Sequence, residues 1–378
     1  MADALAPPVG IALDDDQRLA WLQLIRSENV GPTTFRELIN HCGSASNALD
    51  ALPELASRGR ARKSLKVASR GDAEAELLRL QSMGGRMICL GEPDYPSALR
   101  EADGAPPVLS VLGNADCMSR HAVAFVGSRN ASLSGIKMAR ALAGDVGKRD
   151  YVTISGLARG IDSAAHEASL ATGTIAVFAG GVDHIYPSEN RQLARDIIDN
   201  GGALVSEMPL GTKPRAQDFP RRNRIVAGIA LGLVVVEAAR RSGSLISARL
   251  ANEFGRIVMA VPGSPLDPRS EGTNHLVREG AVLIRNPDDI IEALEPLSNG
   301  SVQTSYSLSE PTDVKMPAPE PSEDDRQKVV SALDRTPTDI DELIRHTGLM
   351  PQQVQIVLLE LSLAGTIERH PGNRVSLI

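Results

Sequence analysis

The feature that most constrains the fold is a series of short apolar runs between Met87 and Ala293. The runs are rich in Val, Ile and Ala, several end in Gly or Ser, and helix-like stretches follow them. In order they read AVAFVG, YVTISG, TIAVFAGG, ALVSEM, LGLVVVEA, RIVMAVPG and AVLI. This alternation predicts βαβ units and a parallel sheet that helices cover on both faces. Ligands of such sheets bind at the carboxyl ends of the strands, which is where these glycines lie.

The apolar pattern changes on either side of this region and predicts five segments. Residues 1–13 form a disordered lead, and residues 14–82, with apolar residues at three- and four-residue spacing, form a small all-α domain. Residues 83–295 carry the parallel sheet. Residues 296–322, rich in Pro, Ser and acidic residues, form a flexible linker. Residues 323–378 contain helical segments followed by a hairpin-like end, which is the order of a winged helix-turn-helix.

Motifs and composition argue against several classes of protein. There is no apolar run of about 18 residues and no signal-peptide pattern, so we expect neither a membrane span nor export. Cys42, Cys89 and Cys117 are scattered, which argues against disulfides or a zinc site and favours a reducing cytoplasm. The motifs GxxxxGK(S/T), GxGxxG, GxSxG and HExxH are absent. We therefore predict no catalytic residue, no metal and no cofactor.

A formal net charge of −7 does not by itself suggest a nucleic-acid partner, but the charge is segregated along the chain. Between residues 211 and 249 the only acidic residues are Asp218 and Glu237. The same segment contains eight cationic residues: Lys213, Arg215, Arg221, Arg222, Arg224, Arg240, Arg241 and Arg249. The acidic excess lies in the N-terminal lead and around residues 310–325. A basic face on an acidic protein is therefore compatible with the sequence.

The first candidate binding turn follows the run VAFV. Gly127 and Ser128 end this strand, and a helix begins near Ser132. Glycine lets the backbone approach an anion closely, and the start of the helix offers peptide N–H donors. Arg129 adds a planar guanidinium that suits a phosphate. The alternative interpretation is an ordinary turn with a surface arginine.

The second candidate turn, in ISGLARGID, follows the strand YVTI. It contributes small and cationic residues at the start of a helix: Ser155, Gly156, Arg159 and Gly160. The free N–H groups of that helix start form another place for an anion. Asp162 is interpreted as a helix cap. His166 is interpreted as a helix-surface or packing residue, because no nucleophile lies near it in the sequence.

The third candidate turn, in GGVDHIYPSENRQLAR, follows the strand TIAVF. Tyr186 and Pro187 precede a helix for which Ser188 is the predicted cap. Arg191 falls in the first turn of this helix, where the helix dipole favours negative charge. We therefore interpret Arg191 as pointing outward at an anion, with a solvated arginine as the alternative.

The fourth candidate site has two parts. One is the polar segment before the apolar run IVAGIALGLVVVEA: Arg221, Arg222, Asn223 and Arg224. The other is a Gly/Ser turn at a strand–helix junction: Ser242, Gly243 and Ser244. Four such turns along one sheet would place several anion-binding turns at a single edge. A row of them suits a polyphosphate chain such as a nucleic-acid backbone.

Aromatic residues are scarce, with five Phe, four Tyr and one Trp in the chain. Base stacking is therefore local at best, with Phe219 and Tyr186 as the candidates. We predict binding that is led by phosphate contacts and only weakly selective for sequence. Two alternatives stay open: Phe219 as an anchor in the core, and Glu237, at the end of VVVEA, as a partner for an arginine.

Six ordered blocks between residues 90 and 285 resemble the DNA-processing protein A family, also called DprA or Smf. They read VGSR, SGLARGID, GGVDHIYPSEN, SEMPLGTKPRAQDFPRRNRIVAG, VVEAARRSGSLISARLANEFGR and VPGSPLDPRSEGTNHLVREGA. The resemblance implies an α/β fold with an extended Rossmann-like domain. An N-terminal all-α domain, sterile-alpha-motif-like or helix-hairpin-helix, and a C-terminal winged helix would flank it.

The same resemblance implies a cytoplasmic protein that binds single-stranded DNA and forms a homodimer through its Rossmann-like domain. The family protects incoming single strands during natural transformation and helps to load the RecA recombinase onto them. By motif, Arg129 would be a principal phosphate contact. Gly127, Ser128, the SGLARG turn and the arginines of FPRRNR would line the same pocket. Arg191 follows YPxxN, where the family commonly has a basic residue.

Two other functions are weighed against this one. A nucleotide-processing Rossmann-like enzyme would resemble the lysine-decarboxylase-like nucleotide hydrolases, but their PGGxGTxxE block reads RSGSLISA here and lacks the glutamate. A regulator that binds double-stranded DNA would rest on the winged helix alone. Its third helix, in MPQQVQIVLLELSLAG, carries no Lys or Arg, so protein contact or dimer packing explains it at least as well.

Overall fold

The computed structural model describes residues 13–59, 63–298, 320–370 and 372–378. Contacts divide the chain into two compact units. Residues 76–298 form one unit, and residues 13–75 together with 320–378 form the other. Most of the predicted lead and most of the predicted linker lie outside the described residues. Within the described ranges, no helix is long and apolar enough to cross a membrane.

Four helices follow one another at the N-terminal end: α1 (Asp15–Arg26), α2 (Pro32–Cys42), α3 (Ala45–Arg58) and α4 (Arg70–Ser82). Local signals fix their ends. Asp14 and Gln17 form a capping box at the start of α1. Gly43 ends α2 in the left-handed conformation, with a φ of 82°. The first three helices pack on one another, and the rings of Trp21 and Phe35 meet edge to face at 5.0 Å.

A nine-stranded sheet forms the centre of the larger unit. Its strands are β1 (Gly85–Cys89), β2 (Val108–Gly113), β3 (Ala122–Val126), β4 (Val152–Ser155), β5 (Thr174–Val177), β6 (Ala203–Ser206), β7 (Gly232–Val235), β8 (Ile257–Ala260) and β9 (Val282–Leu283). The order across the sheet is β1-β2-β6-β5-β4-β3-β7-β8-β9. From β6 to β9 all neighbours are parallel, whereas β2 is antiparallel to both β6 and β1.

Helices cover both faces of this sheet. They are α5 (Ser97–Arg100), α6 (Leu133–Gly147), α7 (Ile161–Ala168), α8 (Arg191–Asp199), α9 (Asp218–Ile229), α10 (Ser244–Glu253), α11 (Glu271–Arg278) and α12 (Pro287–Ser298). One apolar cluster includes Phe125 and Leu142, and another includes Phe178 and Ile197. The central strands are buried throughout, which explains their uninterrupted apolar runs. The predicted α/β fold class is confirmed, and α12 extends into the segment predicted as linker.

The topology places the candidate turns at one edge of the sheet. The chain leaves β3 toward β4, β5 and β6, whereas it leaves β7 in the opposite direction, toward β8 and β9. Because β3 and β7 are neighbours, their connections diverge and leave a crevice outside their carboxyl ends. Such a switch point is where open α/β sheets bind their ligands.

The C-terminal end forms a winged helix, as predicted. Its elements are α13 (Glu323–Ser331), β10 (Thr338–Asp339), α14 (Ile340–Thr347), α15 (Pro351–Leu363), β11 (Ile367–His370) and β12 (Arg374–Leu377). The three strands pair antiparallel in the order β10-β12-β11. Helix α15 occupies the position that the recognition helix takes in DNA-binding winged helices. Whether α15 can contact DNA therefore depends on which other elements cover its outer side.

Candidate functional site

A cavity of about 890 Å³ lies at the switch point of the sheet. Its walls come from the turn after β3, the turn after β4, the segment that leads into α9, and the turn before α10. Tyr186, from the turn before α8, closes one side. The cavity therefore brings together parts of all four candidate sites that the sequence indicates.

The turn after β3 is held close to the sheet and presents a free cation. At Gly127 a Cβ atom would lie 2.5 Å from the Ile161 side chain, so glycine is needed for this approach. The Ser128 N–H donates to the carbonyl of Glu237 at 2.8 Å, which fixes the turn against the end of β7. Arg129 is exposed, and no described carboxylate lies within ion-pair distance of it. Its guanidinium carbon lies 5.0 Å from the centre of the Phe219 ring.

The loop that fixes Arg129 is held by Glu237. This buried carboxylate accepts hydrogen bonds from the N–H and the hydroxyl of Ser132, the residue that caps α6. A Cβ atom at Gly135 would lie 2.5 Å from the same carboxylate. Among the described residues no arginine lies within ion-pair distance of Glu237, whose charge makes a small contribution to the raised pKa of Arg269, and its side chain mainly organises the start of a helix.

The turn after β4 is shaped around a buried arginine. At Gly156 a Cβ atom would lie 1.2 Å from Nη1 of Arg222, so the absence of a side chain leaves the space that the guanidinium fills. Gly160 has a φ of 80°, and a Cβ atom there would meet the carbonyl oxygen of Ser128 at 2.2 Å. The turns after β3 and β4 therefore pack directly on each other. Ser155 is buried in the strand and donates to the carbonyl of Phe125 at 2.6 Å.

Asp162 joins this turn to Arg222. Its buried carboxylate accepts from the N–H groups of Gly156 at 3.2 Å and Ala158 at 3.3 Å. Burial raises the pKa of Asp162, and the neighbouring guanidinium and these hydrogen bonds oppose that rise. The N-cap of α7 is Gly160, so the interpretation of Asp162 as the helix cap is wrong. The carboxylate stabilises the preceding loop.

Arg222 lies at the base of the cavity, on α9. It is 6% exposed, and Nη1 donates to the carbonyl of Val177 at 3.3 Å. Its guanidinium carbon lies 5.8 Å from the centre of the Phe219 ring, so Phe219 has Arg129 and Arg222 as neighbours. Burial lowers the pKa of Arg222, Asp162 raises it, and the nearby charge of Arg129 lowers it. The site thus keeps a fixed cation beneath a free one.

Arg221 and Arg224 do not line the cavity. The segment DFPRRNR forms the first turns of α9, so Arg221 and Arg224 lie three residues apart on one side of the helix and Arg222 points elsewhere. Both contact the buried carboxylate of Glu207, Arg221 at 3.0 Å, and Arg224 also donates to the carbonyl of Gly104. Their expected place in the pocket is not what the structure shows, because Glu207 holds both of them. Asn223 does line the cavity.

Two further arginines lie outside the cavity lining. Arg159 is exposed and lies 3.7 Å from the carboxylate of Glu189. Arg191 is exposed at the first position of α8. The predicted cap of that helix, Ser188, instead lies in a short 3₁₀ turn, and its hydroxyl donates to Glu189. Asn190 occupies the cap position, but its side chain does not cap the helix and instead donates from Nδ2 to the carbonyl of Leu157 at 2.8 Å.

Two aromatic rings form one wall of the cavity. Tyr186 is 48% exposed, and its ring centre lies 6.0 Å from that of Phe219. Phe219 is half-buried at the cavity surface and is not an anchor in the core. This wall offers an apolar, planar surface directly beside the guanidinium of Arg129.

The turn before α10 completes the site and contributes a cation that the sequence reasoning did not select. Ser242, Gly243 and Ser244 all line the cavity, and the hydroxyls of the two serines lie 2.7 Å apart. Arg241 is exposed beside them and lines the same cavity. Among the described carboxylates none lies within ion-pair distance of Arg241. Its position directly beside the Gly/Ser turn was the available signal, because Arg129 is likewise adjacent to its own turn, Gly127 and Ser128.

His166 belongs to the core and not to the site. It is fully buried in α7, and Nδ1 lies 2.7 Å from the hydroxyl of Thr174. Burial, with a smaller contribution from the charge of Arg222, lowers the pKa of His166 to about 3. The imidazole is therefore neutral near pH 7, in agreement with its interpretation as a packing residue.

Comparisons with known proteins point to one family. The sequence model described as "DNA recombination-mediator protein A" matches residues 86–295. Models described as a "DprA-like N-terminal HHH domain" and a "DprA winged helix domain" match residues 15–78 and 313–373. Protein Smf of Escherichia coli is 37% identical over 313 residues, which is 82% of this chain and 82% of that protein.

Two solved structures resemble the fold. The crystal structure of DNA processing protein A from Streptococcus pneumoniae superimposes with a TM-score of 0.61 and 30% identity, covering 74% of this chain and 98% of that one. A structure of DNA processing protein A from Helicobacter pylori, described for its single-stranded DNA binding mode, gives a TM-score of 0.51 and 29% identity. It covers 56% of this chain and 96% of that one.

Proposed function

Because the chain belongs to the DNA recombination-mediator protein A family, we propose that it binds single-stranded DNA in the cavity at the carboxyl ends of β3 and β7. The observation that carries this proposal is that two free guanidiniums, Arg129 and Arg241, line the same cavity as the aromatic rings of Tyr186 and Phe219. Guanidiniums neutralise phosphates and aromatic rings stack on unpaired bases. A single strand presents both groups at once, whereas a duplex hides its base faces.

The proposed DNA contacts are the predicted residues that line the cavity, with Arg241 added: Gly127, Ser128, Arg129, Gly156, Arg222, Asn223, Arg241, Ser242, Gly243 and Ser244. Arg159 and Arg191, exposed outside it, extend the path of the strand. Ser155 and Gly160 shape the turns. Arg221 and Arg224 act indirectly, because their contacts with Glu207 hold α9 in place.

The proposed role follows from the family. The chain would protect single strands during DNA uptake and homologous recombination in the cytoplasm and help to load the RecA recombinase onto them. The binding mode described for the Helicobacter pylori protein supports the DNA part of this role. A surface for RecA is a prediction of the family resemblance alone.

We infer that the function is binding without catalysis. Asp162 is the carboxylate that the described part of the chain contributes to the cavity lining. Two backbone N–H groups and the charge of Arg222 already engage it, so it is a poor general base. A nucleotide hydrolase would need an available carboxylate beside the bound phosphate.

We also propose a homodimer formed by the sheet unit. The last strand, β9, lies at the sheet edge, and its side chains Val282 and Leu283 are 38% and 41% exposed. An apolar edge strand with unpaired backbone groups favours pairing with another chain. A second copy of the same edge satisfies both requirements by symmetry.

The test is a titration of fluorescent oligonucleotides of one sequence, single-stranded and duplex, at several salt concentrations. We expect tighter binding of the single strand at every concentration, with an affinity that falls as salt rises because phosphate contacts release counterions. Equal affinities for the two forms, or an affinity independent of salt, would contradict the proposal. A mononucleotide is the control: it should compete weakly, because it offers one phosphate to a site built for several.

A further inference from the structure

Helix α15 of the winged helix is apolar on two opposite sides. One set of its residues belongs to the winged-helix core: Val354, Val357, Leu358 and Leu361. A second set is equally buried but lies outside that core: Ile356, Leu359, Glu360 and Leu363. Each set follows the spacing i, i+3, i+4, i+7. At about 100° per residue, the two stripes point in opposite directions.

The second stripe is covered by the N-terminal helices of the same compact unit. Helix α15 packs against α2 and α3. At Gly59, which ends α3, a Cβ atom would lie 2.1 Å from the carbonyl oxygen of Glu360, so only glycine permits this approach. Asn29, in the turn between α1 and α2, donates from Nδ2 to the carbonyl of Leu363 at 2.9 Å.

Ion pairs border this apolar contact. Arg369 of β11 lies 2.8 Å from the Glu37 carboxylate of α2, and both side chains are about four-fifths buried. Burial raises the pKa of Glu37, and Arg369 opposes the rise. Glu360, in the buried stripe itself, is neutralised by two hydrogen bonds from Arg326 at 2.7 and 2.8 Å. At this contact, the N-terminal helices and the winged helix are therefore complementary in charge as well as in close packing.

We propose that α15 is a docking surface for the chain's own N-terminal helices and does not read DNA. The winged helix and α1–α3 form one cooperative unit, in which protein covers the side of α15 that a DNA-reading winged helix places in the major groove. The sequence of α15 agrees with this role. It contains no Lys or Arg to neutralise phosphate, and its buried residues run without interruption from Ile356 to Leu361.

The first test uses the chain's one tryptophan, Trp21, which lies in α1. Leu343 is buried in the winged-helix core, on α14. In the full chain, Leu343→Ala should lower the urea midpoint of the Trp21 fluorescence transition, because loss of the winged helix removes the cover of α2 and α3. Leu266→Ala, at a leucine that is 93% exposed, is the matched control and should leave the midpoint unchanged. A native midpoint for Leu343→Ala would overturn the proposal.

The second test exchanges the charges of Glu37 and Arg369, so that neither variant depends on a core substitution. Glu37→Arg and Arg369→Glu should each lower the Trp21 midpoint, and the double variant should recover most of the loss. Arg335→Glu, at an exposed arginine of the same winged helix, is the control. Additive losses in the double variant would show that the two side chains do not meet. In a chain that also carries Leu283→Lys, which removes the proposed β9 contact between copies, a midpoint that rises with protein concentration would place the helices of a second copy on α15 and overturn the intramolecular contact.

Discussion

Arg129 and Arg222 would interact with a bound phosphate in different ways, although both guanidiniums lie near the Phe219 ring. Arg129 is exposed and can move toward a ligand, so it gains a partner on binding. Arg222 is buried and already bonded, so it supplies a fixed positive charge beneath the cavity without reorganising. We therefore expect the salt dependence of binding to report on Arg129 and the shape of the site to depend on Arg222.

Arg129→Ala should weaken binding of single-stranded DNA by about 1–3 kcal/mol and reduce the salt dependence by roughly one phosphate. The reason is that the variant releases one counterion fewer per bound strand. The measurement is fluorescence anisotropy over a range of salt concentrations. Arg140→Ala, at an exposed arginine of α6 that pairs with Glu167 away from the cavity, is the matched control. A salt slope equal to that of the native chain would mean that Arg129 does not contact the backbone.

Gly156→Ala should damage the site although it adds only one methyl group. The new Cβ would overlap Nη1 of Arg222, at 1.2 Å, so the guanidinium must give up its hydrogen bond to the Val177 carbonyl and its place near the charge of Asp162. Overpacking of this kind costs roughly 1–3 kcal/mol of unfolding free energy, and DNA affinity should fall with it. For the stability measurement, Gly243→Ala is the control, because nothing lies within 4 Å of the position its Cβ would take. Equal urea midpoints for the two variants would refute this account.

At the scale of elements, the sequence predicted the turns better than it predicted the partners of their side chains. Glycines after apolar runs identified the carboxyl ends of β3 and β4 because the strand pattern is local. The pairing of Arg221 with Glu207 was hidden, since residues from the end of β6 and from α9 meet only after the sheet has formed. The contact between Glu237 and Ser132 was hidden for the same reason, because these residues follow two different strands, β7 and β3, that become neighbours only in the folded sheet. Arg241 was missed because the sequence does not show which of the adjacent Arg240 and Arg241 lines the cavity once α10 has packed on the sheet.

Helix α7 carries a pH response that can be predicted in sign. The pKa of His166 is lowered from 6.5 to about 3 in the folded state, so the unfolded chain binds a proton first as the pH falls. Its contribution to stability is therefore complete above pH 6.5 and is lost progressively as the pH falls toward 3. The loss approaches roughly 1 kcal/mol for each pH unit in that window.

The variant His166→Gln removes this titration and isolates it from other groups. Urea midpoints of the native chain and the variant should be compared from pH 7.5 to pH 4.5. The native chain should lose stability relative to the variant as the pH falls below about 6. A constant difference across this range would show that His166 does not remain neutral in the folded protein.

In the proposed function, the two compact units of the chain have different roles. The sheet unit contains the cavity and the exposed β9 edge. In the second unit, the N-terminal helices α2 and α3 pack against α15 of the winged helix. Sequence reasoning recognised the winged helix from its order of elements, but that order does not distinguish DNA reading from protein packing. The distinction lies in the second apolar stripe of α15, whose cover comes from residues more than three hundred positions earlier.

Leu283→Lys should separate the proposed dimer without touching the cavity. A charge at the exposed edge of β9 opposes strand pairing between copies, so light scattering should report half the native mass.

Two cavities on one dimer bind a long strand with an avidity that a monomer lacks. The variant should therefore lose on the order of tenfold or more in affinity for long oligonucleotides and keep native affinity for short ones. Leu266→Lys, at an exposed leucine outside β9, controls for the added charge. A native mass for Leu283→Lys would place any dimer contact elsewhere, and equal losses for short and long strands would show that β9 acts on the site itself.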